Sequence, residues 1–253
     1  MSDIYNEQAL EDLEESEHAL TEEALLAMFA LLLITHKELE NELRLFYQKY
    51  GTDGVVTYAQ ARKWTSDKDH RRRITNLYLL VNTNFDSLFS VTKDKFQDMI
   101  EKVMKKEFSF FGVELDDVDV RWGVDDLTWL HRLENDVRKW NAVVLKDIKQ
   151  AILKRRNIDQ VLTQLDKRFV SMEKVLRGLG ITETTAVGSI TRNGIFKELG
   201  ISKYRYYARE DERTCDECGA LHGLVFPMSA FEVGVTASPL HTHCRCWEVP
   251  IRD

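Results

Sequence analysis

The sequence predicts a mainly α protein, in which an elongated helical body is followed by a small α+β C-terminal unit holding a β-hairpin and a structural zinc site. Three observations predict this. Apolar residues recur every three or four positions through the body, which is the period of one helix face. After Gly180 that period gives way to alternation, as in Lys203-Tyr204-Arg205-Tyr206-Tyr207. All four cysteines lie in the last fifth of the chain, within Cys215-x-x-Cys218 and His241-x-His243-Cys244-x-Cys246.

Three regions are expected: an acidic arm over 1–20, the helical body over 21–180, and the C-terminal unit over 181–253. Residues 1–36 contain nine Asp or Glu and no Lys or Arg. The first twenty carry only a weak apolar stripe, so a loosely held arm or short helix is expected. Leu25, Phe29, Leu32, His36, Leu39, Leu43 and Phe46 then form one face of a helix over 21–50, on which His36 reads as a core histidine. Gly51-Thr52-Asp53-Gly54 predicts a turn. Thr57-x-x-Gln60 has the form of a capping box, opening a short helix through Lys63.

Two helices are expected over 68–89 and 92–106, the second opened by the Thr92 hydroxyl. Partial alternation over 113–122 predicts a short strand or extended loop. Asp126 is placed to cap a helix with the stripe Leu130, Leu133, Val137, Trp140, Val144, Ile148 and Ile152. Asn157-x-x-Gln160 caps the next, which is expected to stop at Gly178. Trp129 and Trp140 fall on helical stripes and are expected in the core. One more helix over 184–199, ended by Gly200, leads to strands over 204–208, 224–226 and 247–251. Zinc would pin the hairpin turn to the start of the last strand.

Two thiols separated by two residues can turn onto one cation, and His241-x-x-Cys244 offers a second pair. Sulfur and imidazole in a tetrahedral array favour zinc. The expected ligands are Cys215, Cys218, His241 and Cys244, with Cys246 the first alternate and His243 also in reach. The competing readings are two disulfides, which require an oxidising compartment, a redox-active Cys-x-x-Cys, or buried free thiols. The start Met1-Ser2-Asp3-Ile4-Tyr5 lacks the basic and apolar segments of a signal peptide. An open catalytic zinc is disfavoured, because no His-x-Glu of the deaminase type is present.

The net charge of −7 argues against nonspecific coating of nucleic acid, which is driven by clustered Lys and Arg. The longest apolar run, over 25–34, is half a membrane span, so no membrane partner is expected. Arg71-Arg72-Arg73 and Lys154-Arg155-Arg156 are compact basic triplets. Each reads as a solvated helix face or as a contact for a phosphate or an acidic partner. Arg205, Arg209, Arg213 and Arg245 beside Tyr204, Tyr206, Tyr207 and Trp247 mix cations with aromatics, as nucleic-acid sites do.

The C-terminal residues resemble a known family. Tyr207, Asp211-Glu212-Arg213-Thr214-Cys215, Cys218, Leu221-His222-Gly223 and Pro239-Leu240-His241-Thr242-His243-Cys244-Arg245-Cys246 follow the closing signature of the phage head-morphogenesis or minor head proteins, the Mu F-like group of tailed phages and prophages. Ile190-Thr191-Arg192 also stands where that family shows an Arg-Thr or Thr-Arg pair. His222 departs from the pattern, replacing the usual acid; it is expected to be a polar turn residue.

The resemblance implies Asp211, Arg213, Thr214 and Arg245 as structural parts of the motif. It further implies a non-enzymatic virion component inside the phage head, made in the host bacterial cytoplasm and associated with the portal protein at its vertex. Procapsid assembly and DNA packaging or ejection are the implied roles; capsid or scaffold protein and phage DNA are further implied partners. The alternatives are a zinc-stabilised DNA-binding module and a toxin-like hydrolase or nuclease. Against the latter, no room for a fused catalytic domain is expected after the zinc signature.

Overall fold

The structure is a computed structural model that describes residues 7–57, 59–60, 68–123 and 125–251, with the backbone alone for Glu7 and for residues 68–81. It is mainly α with a small C-terminal sheet, as the sequence predicts. Helix α1 spans Glu7–Tyr50, uninterrupted by Gly or Pro. The expected loose arm is therefore corrected over 7–20, where Leu10 and Leu13 are buried. Its stripe runs Leu10, Leu13, Glu14, Glu17, Thr21, Leu25, and every one of these is buried. Two carboxylates and a hydroxyl occupy core-facing positions, so hydropathy alone finds only a weak stripe there.

The turn after α1 is the expected one: Asp53 and Gly54 have φ of 53° and 71°, and Thr52 and Val55 exchange backbone bonds of 2.9 and 3.1 Å. The capping box also forms, with Thr57 N–H donating to Gln60 Oε1 at 2.9 Å and Gln60 N–H to Thr57 Oγ1 at 3.2 Å. The helix it was expected to open is described only at 59–60; the rest, through Lys63, lies outside the described residues.

Helix α2 spans Lys68–Phe111, replacing the two helices expected at 68–89 and 92–106. Thr92 is fully buried within it. A Thr can cap a helix but breaks none, and no Gly or Pro occurs before Gly112, whose φ of 67° ends the element. No strand forms among the described residues of 113–122; Trp122 makes an isolated bridge to Leu127. Asp126 is not the cap. Its φ is 49°, its N–H bonds Gly123 O at 3.1 Å, and α3 opens later, spanning Trp129–Leu153. Leu133, Val137, Trp140, Val144, Ile148 and Ile152 are buried along α3 as expected, and Leu130 is half-buried.

Asn157 opens α4, Ile158–Glu198, with Gln160 N–H donating to Asn157 Oδ1 at 2.9 Å. The expected stop at Gly178 does not occur. Gly178 is a point of close approach: a Cβ there would lie 3.0 Å from His243 Nε2. Strands β1 (Lys203–Tyr207), β2 (Val225–Pro227) and β3 (Trp247–Ile251) form an antiparallel sheet in the order β2-β1-β3. Between β1 and β2 lies the short helix α5, Asp216–Leu221.

The chain packs as two compact units, one of residues 1–25, 94–132 and 176–253, the other of 26–93 and 133–175. In the second, Trp140 meets Phe85 and Phe169 at ring separations of 4.6 and 4.8 Å and donates its N–H to Arg168 O at 2.8 Å. His36 lies 2.9 Å from Asp166 and 4.5 Å from the Phe169 ring, a packed histidine as expected. Gln8–Tyr50 is long and apolar enough to cross a membrane by length and composition. Its Met28, Leu32, Leu39 and Leu43 are buried in protein, while Leu26, Leu33, Ile34 and Leu45 are exposed. The first unit is built around Leu10, Phe111, Phe196, Tyr204, Trp247 and Val249, which fixes α1, α2 and α4 against the sheet.

Candidate metal centre

Cys215 is the N-cap of α5, and its sulfur accepts from Cys218 N–H at 3.3 Å. That bond folds the Cys-x-x-Cys segment into one turn, so both sulfurs face the same side. The loop before β3 brings the second pair. His241 Nε2 lies 3.1 Å from Cys215 Sγ and 3.2 Å from Cys218 Sγ, and Cys244 Sγ lies 3.8 Å from Cys218 Sγ. The donors form two trios that could each hold a metal, Cys215/Cys218/His241 and Cys218/Cys244/Cys246, joined by the sulfur of Cys218. A cavity of ≈ 20 Å³ lies among them.

The chemistry of these donors fits a cation. Zinc–ligand bond lengths in a tetrahedron place neighbouring sulfurs roughly 3.8 Å apart, the separation of Cys218 and Cys244. The His241 ring is oriented by its Nδ1–H, which donates to Thr242 O at 2.7 Å and leaves the Nε2 lone pair facing the thiols. Tyr206 O–H points at Cys218 Sγ at 3.5 Å and Cys244 Sγ at 3.9 Å, a donor suited to thiolates. The crowded sulfurs respond oppositely to one another. Hydrogen bonding from Cys218 pulls the Cys244 thiol down to about 2, and the same contact pushes Cys218 up. A shared cation would let such crowded thiols all ionise.

The scaffold is α4. Thr185 Oγ1 donates to Cys244 O at 2.9 Å, and His243 N–H donates to Thr182 Oγ1 at 3.0 Å. His243 therefore packs its ring on Gly178, with φ of 65°, rather than joining either trio. Glu248, fully buried, accepts from Ser189 at 2.8 Å and from the N–H and hydroxyl of Ser238 at 2.6 and 2.8 Å, which anchors the start of the loop. Thr182, Thr185, Ser189, Tyr206 and Glu248 were not foreseen as parts of the site. The available signal was the polar run Thr182 to Thr185, followed by Ser189, in a helix that had to be buried.

Asp211 organises the approach to the knuckle. Arg245 grips both of its oxygens at 2.8 and 2.7 Å, Arg213 N–H donates to it at 2.9 Å, and its own N–H donates to Thr214 Oγ1 at 2.9 Å. Arg245 lowers the Asp211 carboxyl below the usual range. The Arg213 guanidinium, by contrast, is 77% exposed and only 3.9 Å from Asp211. His222 caps the end of α5 and accepts from Ala208 N–H at 3.3 Å, so it serves the turn.

Of the two basic triplets, the structure describes the side chains of the second alone. Lys154, Arg155 and Arg156 are exposed at the end of α3, where Arg155 has φ of 55° and Arg156 N–H reaches back to Ala151 O at 3.0 Å. The side chains of Arg71, Arg72 and Arg73 lie outside the described residues.

Residues 142–249 match the family described as Phage Mu protein F like protein, a stretch that includes every candidate ligand. Over those residues the chain is similar to the Mu F-like phage head-morphogenesis family. Comparison with curated proteins and with solved structures gave no match. That similarity supports a general role in phage head morphogenesis and is consistent with a non-enzymatic protein of the phage head.

Proposed function

We propose that this Mu F-like protein is a minor capsid component that docks at the portal vertex inside the phage head and acts in procapsid assembly and in DNA packaging or ejection. The family match over 142–249 carries this reading. It is a structural protein rather than an enzyme, made in the host cytoplasm, with the portal as its main partner and capsid or scaffold protein and phage DNA as further contacts. The three proposed regions serve this role, the first by docking through the exposed acidic face of α1, the second as helical body and the third as a metal-stiffened tip. In the tip, zinc is held by Cys215, Cys218, His241 and Cys244, with Cys246 the alternate in the fourth place. Bound there, the ion cross-links α5 to the loop before β3 and supplies folding energy to a unit whose sheet, among the described residues, has three short strands.

Co-expression with the cognate portal tests the docking. Truncating the first twenty residues is a poor probe, because Leu10 and Leu13 belong to the core. Replacing the exposed Asp12 and Glu23 by Asn and Gln leaves the packing of α1 intact. Co-purification at low salt, reduced at high salt and weaker for that double variant, is the expected outcome, since surface attraction is screened within about 10 Å at 0.1 M salt. A portal that assembles normally and retains none of this protein at either salt concentration would refute it.

A further inference from the structure

Away from the cysteines, the first unit encloses a second cluster of charge. Arg192 of α4, 1% exposed, faces four carboxyl groups: Glu14 and Glu17 of α1, Glu107 of α2 and Glu248 of β3, each 3% exposed or less. Its Nε donates to Glu107 Oε1 at 2.7 Å, its Nη2 bonds Glu14, and the same Nη2 lies 3.6 Å from Glu17 Oε2. Glu248 is 3.8 Å from Nη1 and is already supplied with donors by Ser189 and Ser238. His18, with its side chain 16% exposed, stands 4.0 Å from Glu14. Both oxygens of Glu17 are left without a hydrogen-bond donor although the side chain is sealed from solvent. Room for them exists because residue 188 is Gly: a Cβ there would lie 3.2 Å from Glu17 Oε2, 3.3 Å from Arg192 Nη2 and 3.4 Å from Glu107 Oε1.

One guanidinium cannot neutralise four buried carboxylates, and an unpaired buried anion takes up a proton or a cation. Glu14, Glu17 and Glu107 have the mutual spacing of a metal trio. The position a metal would occupy is nevertheless taken, since Arg192 Nη2 already bridges Glu14 and Glu107 and faces Glu17. A proton needs no such space.

We propose that Glu17 is retained as a neutral carboxylic acid, sharing its proton with Glu107, and that this buried proton clasps α1 to α2 and α4. Losing it places a second unpaired anion beside Glu107 and Glu14 and opens the N-terminal turns of α1. Burial pushes the Glu17 carboxyl well above its ordinary value, and Glu107 and Glu14 add to that rise. Glu107 is also raised by burial, against the pull of Arg192. Because the folded value of Glu17 exceeds the unfolded one, the folded state keeps a proton that the unfolded chain has lost. The clasp is complete at low pH and weakens as pH rises through the window between the unfolded and folded values.

Hydrogen exchange over residues 10–21 of the full chain, followed from pH 5 to 9 and corrected for the intrinsic rate, should show opening that grows by about tenfold per pH unit. Glu17→Gln, an isostere of the neutral acid, should flatten that dependence and open less than the wild type at the alkaline end. In infrared spectra at neutral pH the wild type should show the C=O band of a buried carboxylic acid, absent from Glu17→Gln. Exchange faster in Glu17→Gln than in wild type at every pH would overturn the proposal, since it would make Glu17 an anionic partner of Arg192. So would stabilisation of the wild type, but not the variant, by excess calcium or magnesium, which would put a cation in the site. If the variant fails to fold, the wild-type spectrum decides alone: no buried acid band, no clasp.

Discussion

Cys218 is the one donor common to both trios, so its replacement removes a donor from each. Zinc measured by mass spectrometry on purified protein should approach one equivalent per chain in the wild type and fall close to zero in Cys218→Ser and Cys215→Ser. Cys246→Ser should keep most of its metal, because the first trio closes with Cys244. Retention by Cys218→Ser would refute the ligand set. The two motif arginines should also separate. Arg245 holds both oxygens of Asp211 and is largely buried, whereas Arg213 leaves its guanidinium in solvent. Arg245→Ala should therefore lower the melting temperature of the C-terminal unit clearly and Arg213→Ala by little, since exposed ion pairs contribute almost nothing. Equal effects would show that the Arg213 side chain has a second role.

Helix α4 shows how one element can be both scaffold and ligand-loop dock. Its small residues are approach points, and its hydroxyls satisfy the backbone of the loop that carries His241 to Cys246. Gly178→Ala would force its new methyl against the His243 ring, 3.0 Å away, and should cost about 1–3 kcal/mol. Thr185→Val keeps the volume but strips the donor from Cys244 O, a loss of about 1–2 kcal/mol. Both follow from denaturant melts of the metal-loaded protein. A Gly178→Ala variant as stable as wild type would mean that the loop can slide on α4 without penalty. At the other end of the helix, Asn157→Ala should cost about 1 kcal/mol by removing the cap on Gln160 N–H.

At the scale of the molecule, the division into two compact units predicts that removing a bound metal would be a local event. A chelator should raise hydrogen exchange in the β1–β3 sheet and α5, while the Trp140–Phe85–Phe169 core of the other unit, which has no part in the metal centre, keeps its protection. Loss of protection across the whole chain at the same chelator concentration would show that the ion supports one cooperative fold.

Local chemistry determined much of this protein without reference to its neighbours. The two-residue gap between Cys215 and Cys218, the capping boxes at Thr57 and Asn157, the left-handed turn at Asp53-Gly54 and the position of β3 all depend on residues a few places apart, and so can be read from the chain. The continuity of α2 and α4 could not. Thr92 and Gly178 are signals of helix ends in isolation, and burial against other elements overrode both, because packing a whole apolar face outweighs one weak cap or one glycine. The inward turn of Glu14, Glu17, Glu107 and Arg192 was equally hidden. Charged residues are read as solvent-facing until the fold supplies a partner, and here that partner stands 178 positions away from Glu14, on α4. Tertiary structure alone decided which charges would be buried, because only it brings opposite signs within bonding distance.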